Sequence, residues 1–138
     1  KRPKLHLVDA GLACSLLGIR KPEHLRDHPL RGALFETFVA SELLKWYLHR
    51  GLSADLHHYR EVRGAEIDLV RPGVPRGIAL EAKAGQTFQP EFVKHLTALD
   101  REAWAAYLVY GGATRHTRDG VRIVPWLGLA TADWGSEA

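Results

Sequence analysis

Two neighbouring stretches near the middle of the chain alternate between aliphatic and charged or small residues. Residues 66–70 and residues 77–83 both follow a period of two, which predicts strands with one apolar and one polar face. Residues 71–77 between them are rich in proline and glycine and predict a hairpin connection. Pairing these strands would bring Asp68 close to Glu81 on a common face.

A longer stretch, residues 31–50, has hydrophobic residues at helical spacing and is followed by Gly51, a residue type favoured after helix ends. The predicted core-facing arc contains Phe35, Val39, Ala40, Leu43, Trp46 and Tyr47. Glu36 falls inside this arc, where a carboxylate is costly unless it meets a cation or hydrogen-bond donors. Glu36 is therefore predicted either to pair with a buried basic residue or to join the polar face of the hairpin. In the second case it should be more buried than Glu42.

The remaining pattern predicts one α/β domain. The other predicted strands are residues 5–8, 55–63, 104–110 and 121–126. The other predicted helices are residues 10–17 and 90–99. A polar connection is predicted at residues 21–29 and a charged turn at residues 114–120. The predicted organisation is an N-terminal region over residues 1–30, an α/β domain over residues 31–127 and an irregular tail over residues 128–138.

Composition narrows the class of protein. The chain has 138 residues, 46% hydrophobic and 25% charged, which suits one globular domain. The net charge of +3 permits contact with an acidic polymer. A single cysteine, Cys14, excludes an internal disulfide framework and predicts a packed thiol. No apolar run is long enough to span a membrane, so we expect a cytoplasmic domain without membrane contact. Because the chain contains no methionine, we expect it to be part of a longer protein.

The acidic residues of the helix and hairpin are the strongest chemical candidates. Glu36, Asp68 and Glu81 together could hold a hard divalent cation, Mg²⁺ or Mn²⁺, through oxygen ligands. Lys83 could stabilise the charge that develops when water attacks a phosphodiester. Clustered acids repel one another, so one of them should have a raised pKa without metal. The alternative is that these residues form only the solvated face of a hairpin.

Four further residues are weaker candidates for contact with nucleic acid. Arg60 and Arg63 precede the acidic hairpin and suit either a phosphate clamp or salt bridges to neighbouring glutamates. Gln86 and Gln89 follow Lys83 and suit either a nucleic-acid backbone or ordinary loop and helix-cap positions.

The order of these residues resembles the PD-(D/E)XK nuclease superfamily. A helix acid at Glu36, a strand acid at Asp68 and then Glu81-Ala82-Lys83 match the motif of that superfamily, and the predicted elements over residues 31–109 supply helix, three strands, helix, strand. The resemblance implies a restriction-endonuclease-like core around a mixed central sheet. It also implies that Glu36, Asp68 and Glu81 bind metal and that Lys83 is catalytic.

A closer resemblance is to the uncharacterised C-terminal domain of many prokaryotic AAA-type ATPases. The stretches that carry it are residues 4–12, 32–39, 59–60, 66–69 and 81–83. This resemblance implies an N-terminal ATPase in cis. The chain has no G-x-x-x-x-G-K-[ST] motif, so ATP would bind only in an upstream domain.

Two functions follow from these observations. The first is Mg²⁺-dependent hydrolysis of DNA by a nuclease-like domain attached to an ATPase. The second is a catalytically inactive module that binds nucleic acid or protein for that ATPase. Pairing into a homodimer is compatible with either function.

Overall fold

A mixed six-stranded sheet forms the centre of an α/β domain in the computed structural model, which describes residues 3–61 and 64–135. The strands are β1 (His57–Arg60), β2 (Glu66–Arg71), β3 (Gly77–Lys83), β4 (Trp104–Tyr110), β5 (His116–Arg118) and β6 (Val121–Pro125). Their order across the sheet is β1-β2-β3-β4-β6-β5. Strands β3, β4 and β6 run parallel, and the other neighbouring pairs are antiparallel. The predicted α/β class and the hairpin of β2 and β3 are confirmed.

Within the described part of the chain, four α-helices accompany the sheet. They are α1 (Ala10–Leu16), α2 (Pro22–Arg26), α3 (Arg31–Leu48) and α4 (Lys94–Thr97), with 3-10 helices at Pro90–Val93 and Trp126–Thr131. Helix α3 covers one face of the sheet, and α4 with the 3-10 turn before it covers the other. The chain leaves α3 through Gly51, whose φ of 68° lies in the left-handed region that glycine tolerates best.

The buried face of α3 is the one that its hydrophobic spacing predicts. Val39, Leu43 and Tyr47 are almost completely buried and pack with Leu80 of β3. Burying side chains of this size contributes roughly 1.5–3 kcal/mol each. This packing fixes the rotation of α3 about its axis, and it therefore sets the direction in which Glu36 points.

Strand β2 contains an extra residue relative to β1. His57 pairs with Val70 whereas Tyr59 pairs with Ile67, so β2 has one more residue than β1 over this interval. Ile67 packs on the α4 side of the sheet and Leu69 on the α3 side, although strict alternation predicts that they share a face. That prediction is wrong because the bulge interrupts the alternation at Asp68, and bulges commonly re-aim a side chain in this way.

Several predicted elements differ from the structure. Residues 5–8 form no strand, because no neighbouring strand pairs with them, and Leu5 is 91% exposed. The connection at 21–29 contains α2, and the charged turn at 114–120 contains β5. Of the predicted strand at 55–63, the described residues 55–61 are regular over β1, and residues 62–63 lie outside the described residues. The predicted helix at 90–99 divides into a 3-10 turn and the short α4.

The last described residues are part of the core. Beyond the 3-10 helix, Trp134 is 1% exposed and packs against Tyr107 with the two rings tilted by 53° and their centroids 5.0 Å apart. Its indole nitrogen donates to the Leu129 carbonyl at 2.9 Å. Its own carbonyl accepts from the Tyr47 hydroxyl at 2.9 Å. The sequence predicts an irregular tail over residues 128–138, but residues 128–135 close the α3 side of the core, and residues 136–138 lie outside the described residues.

None of the helices formed by residues 3–61 and 64–135 has the length and apolar character needed to cross a membrane.

Candidate functional site

Strand β3 and the bulge of β2 bring together three of the four strongest candidates. Lys83 Nζ donates to Glu81 Oε2 at 2.7 Å and lies 3.8 Å from Asp68 Oδ2. The backbone N–H of Ala82 donates to Asp68 Oδ2 at 3.0 Å, which fixes this carboxylate against β3. Asp68 and Glu81 are only 8% and 4% exposed. Asp68 and Glu81 are therefore buried carboxylates, and Lys83 lies within 4 Å of both.

Glu36 reaches the same cluster from α3. Lys4 Nζ donates to Glu36 Oε1 at 2.9 Å and to Asp68 Oδ1 at 3.3 Å. The two carboxylates therefore lie within about 6 Å of each other, which is within the reach of a bridging water or ion. The Glu36 side chain is 18% exposed compared with 29% for Glu42, as expected for an inward-pointing acid.

Lys4, Glu66 and His6 also belong to the cluster and were not predicted as site residues. Lys4 Nζ lies 2.9 Å from Glu66 Oε1 in addition to its contacts with Glu36 and Asp68. His6 Nε2 lies 3.8 Å from Glu36 Oε1. Four carboxyl groups thus surround two ammonium groups, which leaves an excess of negative charge.

The loop after β3 is held by the end of β4. Gly111 N–H donates to the carbonyls of Lys83 and Gly85, each at 3.0 Å. A side chain at Gly111 would collide with the Ala84 backbone, so this approach requires glycine. Arg31 at the start of α3 donates to the Ala84 carbonyl at 2.9 Å. These contacts fix the backbone on the C-terminal side of Lys83.

Burial and charge shift the pKa values of the central pair. Burial, together with the neighbouring Asp68 carboxylate, raises the pKa of Glu81 to about 7, although the Lys83 ammonium opposes this change. Burial acts to lower the pKa of Lys83, but its hydrogen bond to Glu81 and the negative charges of Glu81, Asp68 and Glu36 together outweigh burial, so the pKa is raised. The prediction that one clustered acid has a raised pKa is confirmed, and that acid is Glu81.

Lys4 and Glu66 stabilise each other as ions. Burial acts to lower the pKa of Lys4, but hydrogen bonds to Glu66 and Glu36 and the charge of Asp68 raise it above its usual range. The hydrogen bond from Lys4 lowers the pKa of Glu66, and burial opposes this weakly. Lys4 is therefore a permanent cation within the carboxylate cluster at neutral pH.

The raised pKa of Glu81 predicts a pH dependence of stability. Between the ordinary glutamate value and about 7, folded Glu81 retains a proton that the unfolded chain has lost, so its contribution to stability decreases as the pH rises through this window. Relative to wild type, Glu81→Gln should therefore gain on the order of 3 kcal/mol in unfolding free energy between about pH 4 and about pH 8. Urea unfolding across this range measures the difference.

Glu42→Gln is the matched control for this measurement, because Glu42 pairs with Lys45 on the outer side of α3. Its unfolding free energy should follow that of wild type at every pH. If Glu81→Gln and wild type also show parallel curves, Glu81 does not titrate in this window.

The four weaker candidates lie at the margin of the site or away from it. Arg60 is exposed and its Nε lies 3.9 Å from Glu66 Oε2, in agreement with the salt-bridge alternative. Arg63 lies outside the described residues. Gln86 and Gln89 are exposed; Gln86 lines an apolar cavity beside α1, and Gln89 is the residue before the 3-10 turn at Pro90–Val93. Cys14 lines the same cavity as Gln86 and is half-buried.

The donor chemistry of the cluster fits a divalent cation, although Lys4 takes up space in it. Oxygen atoms of Glu36, Glu66 and Asp68 converge on the Lys4 ammonium, which stands where a hard cation would be favoured. Within residues 3–61 and 64–135, no three His, Cys, Asp or Glu side chains are grouped closely enough to hold a metal ion as the structure stands. The cluster thus has the ligand types for a metal but is arranged around lysine.

The fold and the site define the class of this protein as an α/β domain with a mixed sheet and a buried carboxylate–lysine cluster. Residues 31–129 match the family described as a domain of unknown function, DUF4143, and because the match covers most of the chain, the protein belongs to that family. No curated protein and no solved structure matches the chain. The match contains all four predicted catalytic residues and begins after Lys4.

Proposed function

We propose that this domain hydrolyses phosphodiester bonds of DNA with the help of Mg²⁺ or Mn²⁺. The observation that carries the proposal is the convergence of Glu36, Asp68 and Glu81 beside Lys83 in a buried cluster. Buried carboxylates repel one another and cost stability, so a cluster of them is more readily explained by a function than by packing. Hydrolysis is therefore favoured over a solvated hairpin face.

Asp68 and Glu81 would hold the cation, and Glu36 would complete the ligand set directly or through water. Such a cation lowers the pKa of a bound water and polarises a phosphoryl oxygen. The bond from Ala82 N–H holds the Asp68 carboxylate in place. Glu81 holds the Lys83 ammonium at 2.7 Å, where its charge can offset the charge that develops on the phosphate.

The same proposal includes the PD-(D/E)XK fold and its restriction-endonuclease-like core. Support comes from the element order, in which α3 precedes β1, β2 and β3, and α4 precedes β4. The ATPase domain in cis, which would bind ATP outside this chain, and a homodimeric state belong to the proposal as expectations from resemblance and symmetry.

A second function, an inactive binding module, is favoured by one specific observation. Lys4 and Lys83 already neutralise part of the carboxylate cluster, so an ordered site exists without any metal. A module of this kind would retain the acids as internal partners of the two lysines. It would bind nucleic acid or protein through other surfaces.

Metal titration together with a cleavage assay separates the two functions. We expect the domain to cleave DNA in millimolar Mg²⁺ or Mn²⁺, and we expect cleavage to stop when EDTA is added. Mn²⁺ binding, followed by electron paramagnetic resonance, should weaken at least roughly tenfold in Asp68→Asn. Cleavage that continues in EDTA contradicts the proposal. A failure of Mn²⁺ to bind wild type and Lys4→Gln alike would favour the inactive module.

A further inference from the structure

An extended segment, residues 3–9, crosses the carboxylate cluster. It contains no helix and no strand, and Asp9 at its end caps α1 by accepting a hydrogen bond from Leu12 N–H at 3.0 Å. Lys4 extends from this segment into the cluster, where it contacts carboxylates from α3 and β2. The segment is thus anchored at one end by a helix cap and inserts one cation into the site.

The contacts that hold this segment are mainly polar. Besides the three ion pairs of Lys4, His6 Nδ1 lies 3.2 Å from Thr37 Oγ1 on α3. Leu5 and Val8 are 91% and 60% exposed, so their side chains contribute little apolar burial. Segments with few buried apolar contacts open at low free-energy cost. Residues 3–8 can therefore detach without unfolding the domain.

A cavity of about 570 Å³ lies beneath the segment. Its other walls come from α3, β2 and the chain leading into β1, and they include Ala40, Ser41, Leu44, Ala54, Leu56 and Leu69. The segment thus borders open space on the side that faces this cavity. Its release would leave most of the packing around α3 unchanged.

We propose that residues 3–9 form a strap that closes the site, and that Lys4 is an internal cation which a divalent metal must displace. This inference rests on the proposed function, because that function supplies the metal. Lys4 Nζ and a divalent ion would compete for the same oxygens of Glu36 and Asp68, at 2.9 and 3.3 Å from the nitrogen. Two cations cannot share that space, so a metal that binds these oxygens of Glu36 and Asp68 must displace Lys4 and with it the strap.

The strap therefore lowers the metal affinity of the closed protein. Only the fraction of molecules with an open strap binds metal, so a strap closed nine-tenths of the time weakens apparent affinity about tenfold. Any event that pulls the segment away would activate the site, and metal binding would in turn release the segment. Lys4 affects the rate of hydrolysis only by occupying the metal site.

Mn²⁺ titration of Lys4→Gln against wild type tests the strap. We expect the variant to bind Mn²⁺ at least roughly tenfold more tightly, and Lys4→Arg, which retains the charge, to bind like wild type. Lys21→Gln is the matched control, because Lys21 is exposed and its side chain makes no capping hydrogen bond to α2. It makes the same change in net charge and should leave Mn²⁺ affinity unchanged.

Hydrogen exchange on wild type provides a second readout that needs no variant. Adding Mn²⁺ should increase amide exchange in residues 4–8, while exchange in the centre of α3 should stay slow. Equal Mn²⁺ affinity in wild type and Lys4→Gln, or unchanged exchange in residues 4–8 with Mn²⁺ bound, overturns the strap and leaves the proposed metal site standing. Absence of Mn²⁺ binding in every variant overturns both.

Discussion

Replacing Glu81 with alanine should lower DNA cleavage by roughly 10³-fold or more, because a lost metal ligand removes several kcal/mol of transition-state stabilisation. Glu81 is also the residue that positions the Lys83 ammonium, so the change affects both charged partners of the substrate phosphate. Cleavage of a supercoiled plasmid in Mg²⁺, with the enzyme in excess, measures the loss. The variant should remain folded, because the loss of the Lys83 partner is offset in part by the removal of a buried carboxylate whose pKa is raised.

Glu42→Ala is the matched control for the cleavage assay. Glu42 lies on the same helix as Glu36 and pairs with Lys45 instead of entering the cluster. It should retain the cleavage rate of wild type and lose at most about 0.5 kcal/mol of stability. If Glu81→Ala cleaves as fast as Glu42→Ala, the activity does not come from this cluster.

Replacing Trp134 with alanine should destabilise the domain by about 3–5 kcal/mol. The indole is fully buried, packs against the Tyr107 ring and donates to the Leu129 carbonyl. The substitution would leave a cavity on the α3 side of the sheet and would weaken the hold of the last described residues on Tyr47. Chemical denaturation measures the change, which is large compared with the usual stability of a domain of this size.

Trp126→Ala supplies the comparison for Trp134. Trp126 is 40% exposed and meets Phe38 edge to face at a centroid distance of 6.1 Å. Its removal should cost less, roughly 1–2 kcal/mol, because two-fifths of Trp126 is already exposed and its loss removes less buried area together with one aromatic contact. Equal losses for the two tryptophans would show that residues 128–135 do not hold the core together.

Periodicity predicts those parts of the site that depend on a single helix or a single hairpin. The direction of Glu36 follows from the apolar arc of α3, since the packing of Val39 and Leu43 fixes the rotation of the helix. The proximity of Asp68, Glu81 and Lys83 follows from the antiparallel pairing of β2 and β3 across a short connection. In both cases the determining residues are near one another in the sequence.

The position of Lys4 could not be predicted in this way. Two of its partners, Glu36 and Asp68, lie 32 and 64 residues away in the sequence, and the segment that carries Lys4 has no regular structure. The only sequence feature that points to Lys4 is its place at the start of residues 4–12, one of the stretches that resemble the C-terminal domain of AAA-type ATPases. The bulge at Asp68 and the burial of Trp134 were missed for a similar reason, because both arise from long-range packing and not from local spacing.

The two outer strands of the sheet also determine how this domain behaves at high concentration. β5 has three residues, and β1 has four with an irregular ladder against β2. Short or bulged edges offer few free backbone groups in register, which discourages strand addition by another chain and the growth of fibrils. Charged side chains on both edges, such as Arg60 and Arg118, add electrostatic repulsion. We therefore expect this domain to resist edge-to-edge aggregation.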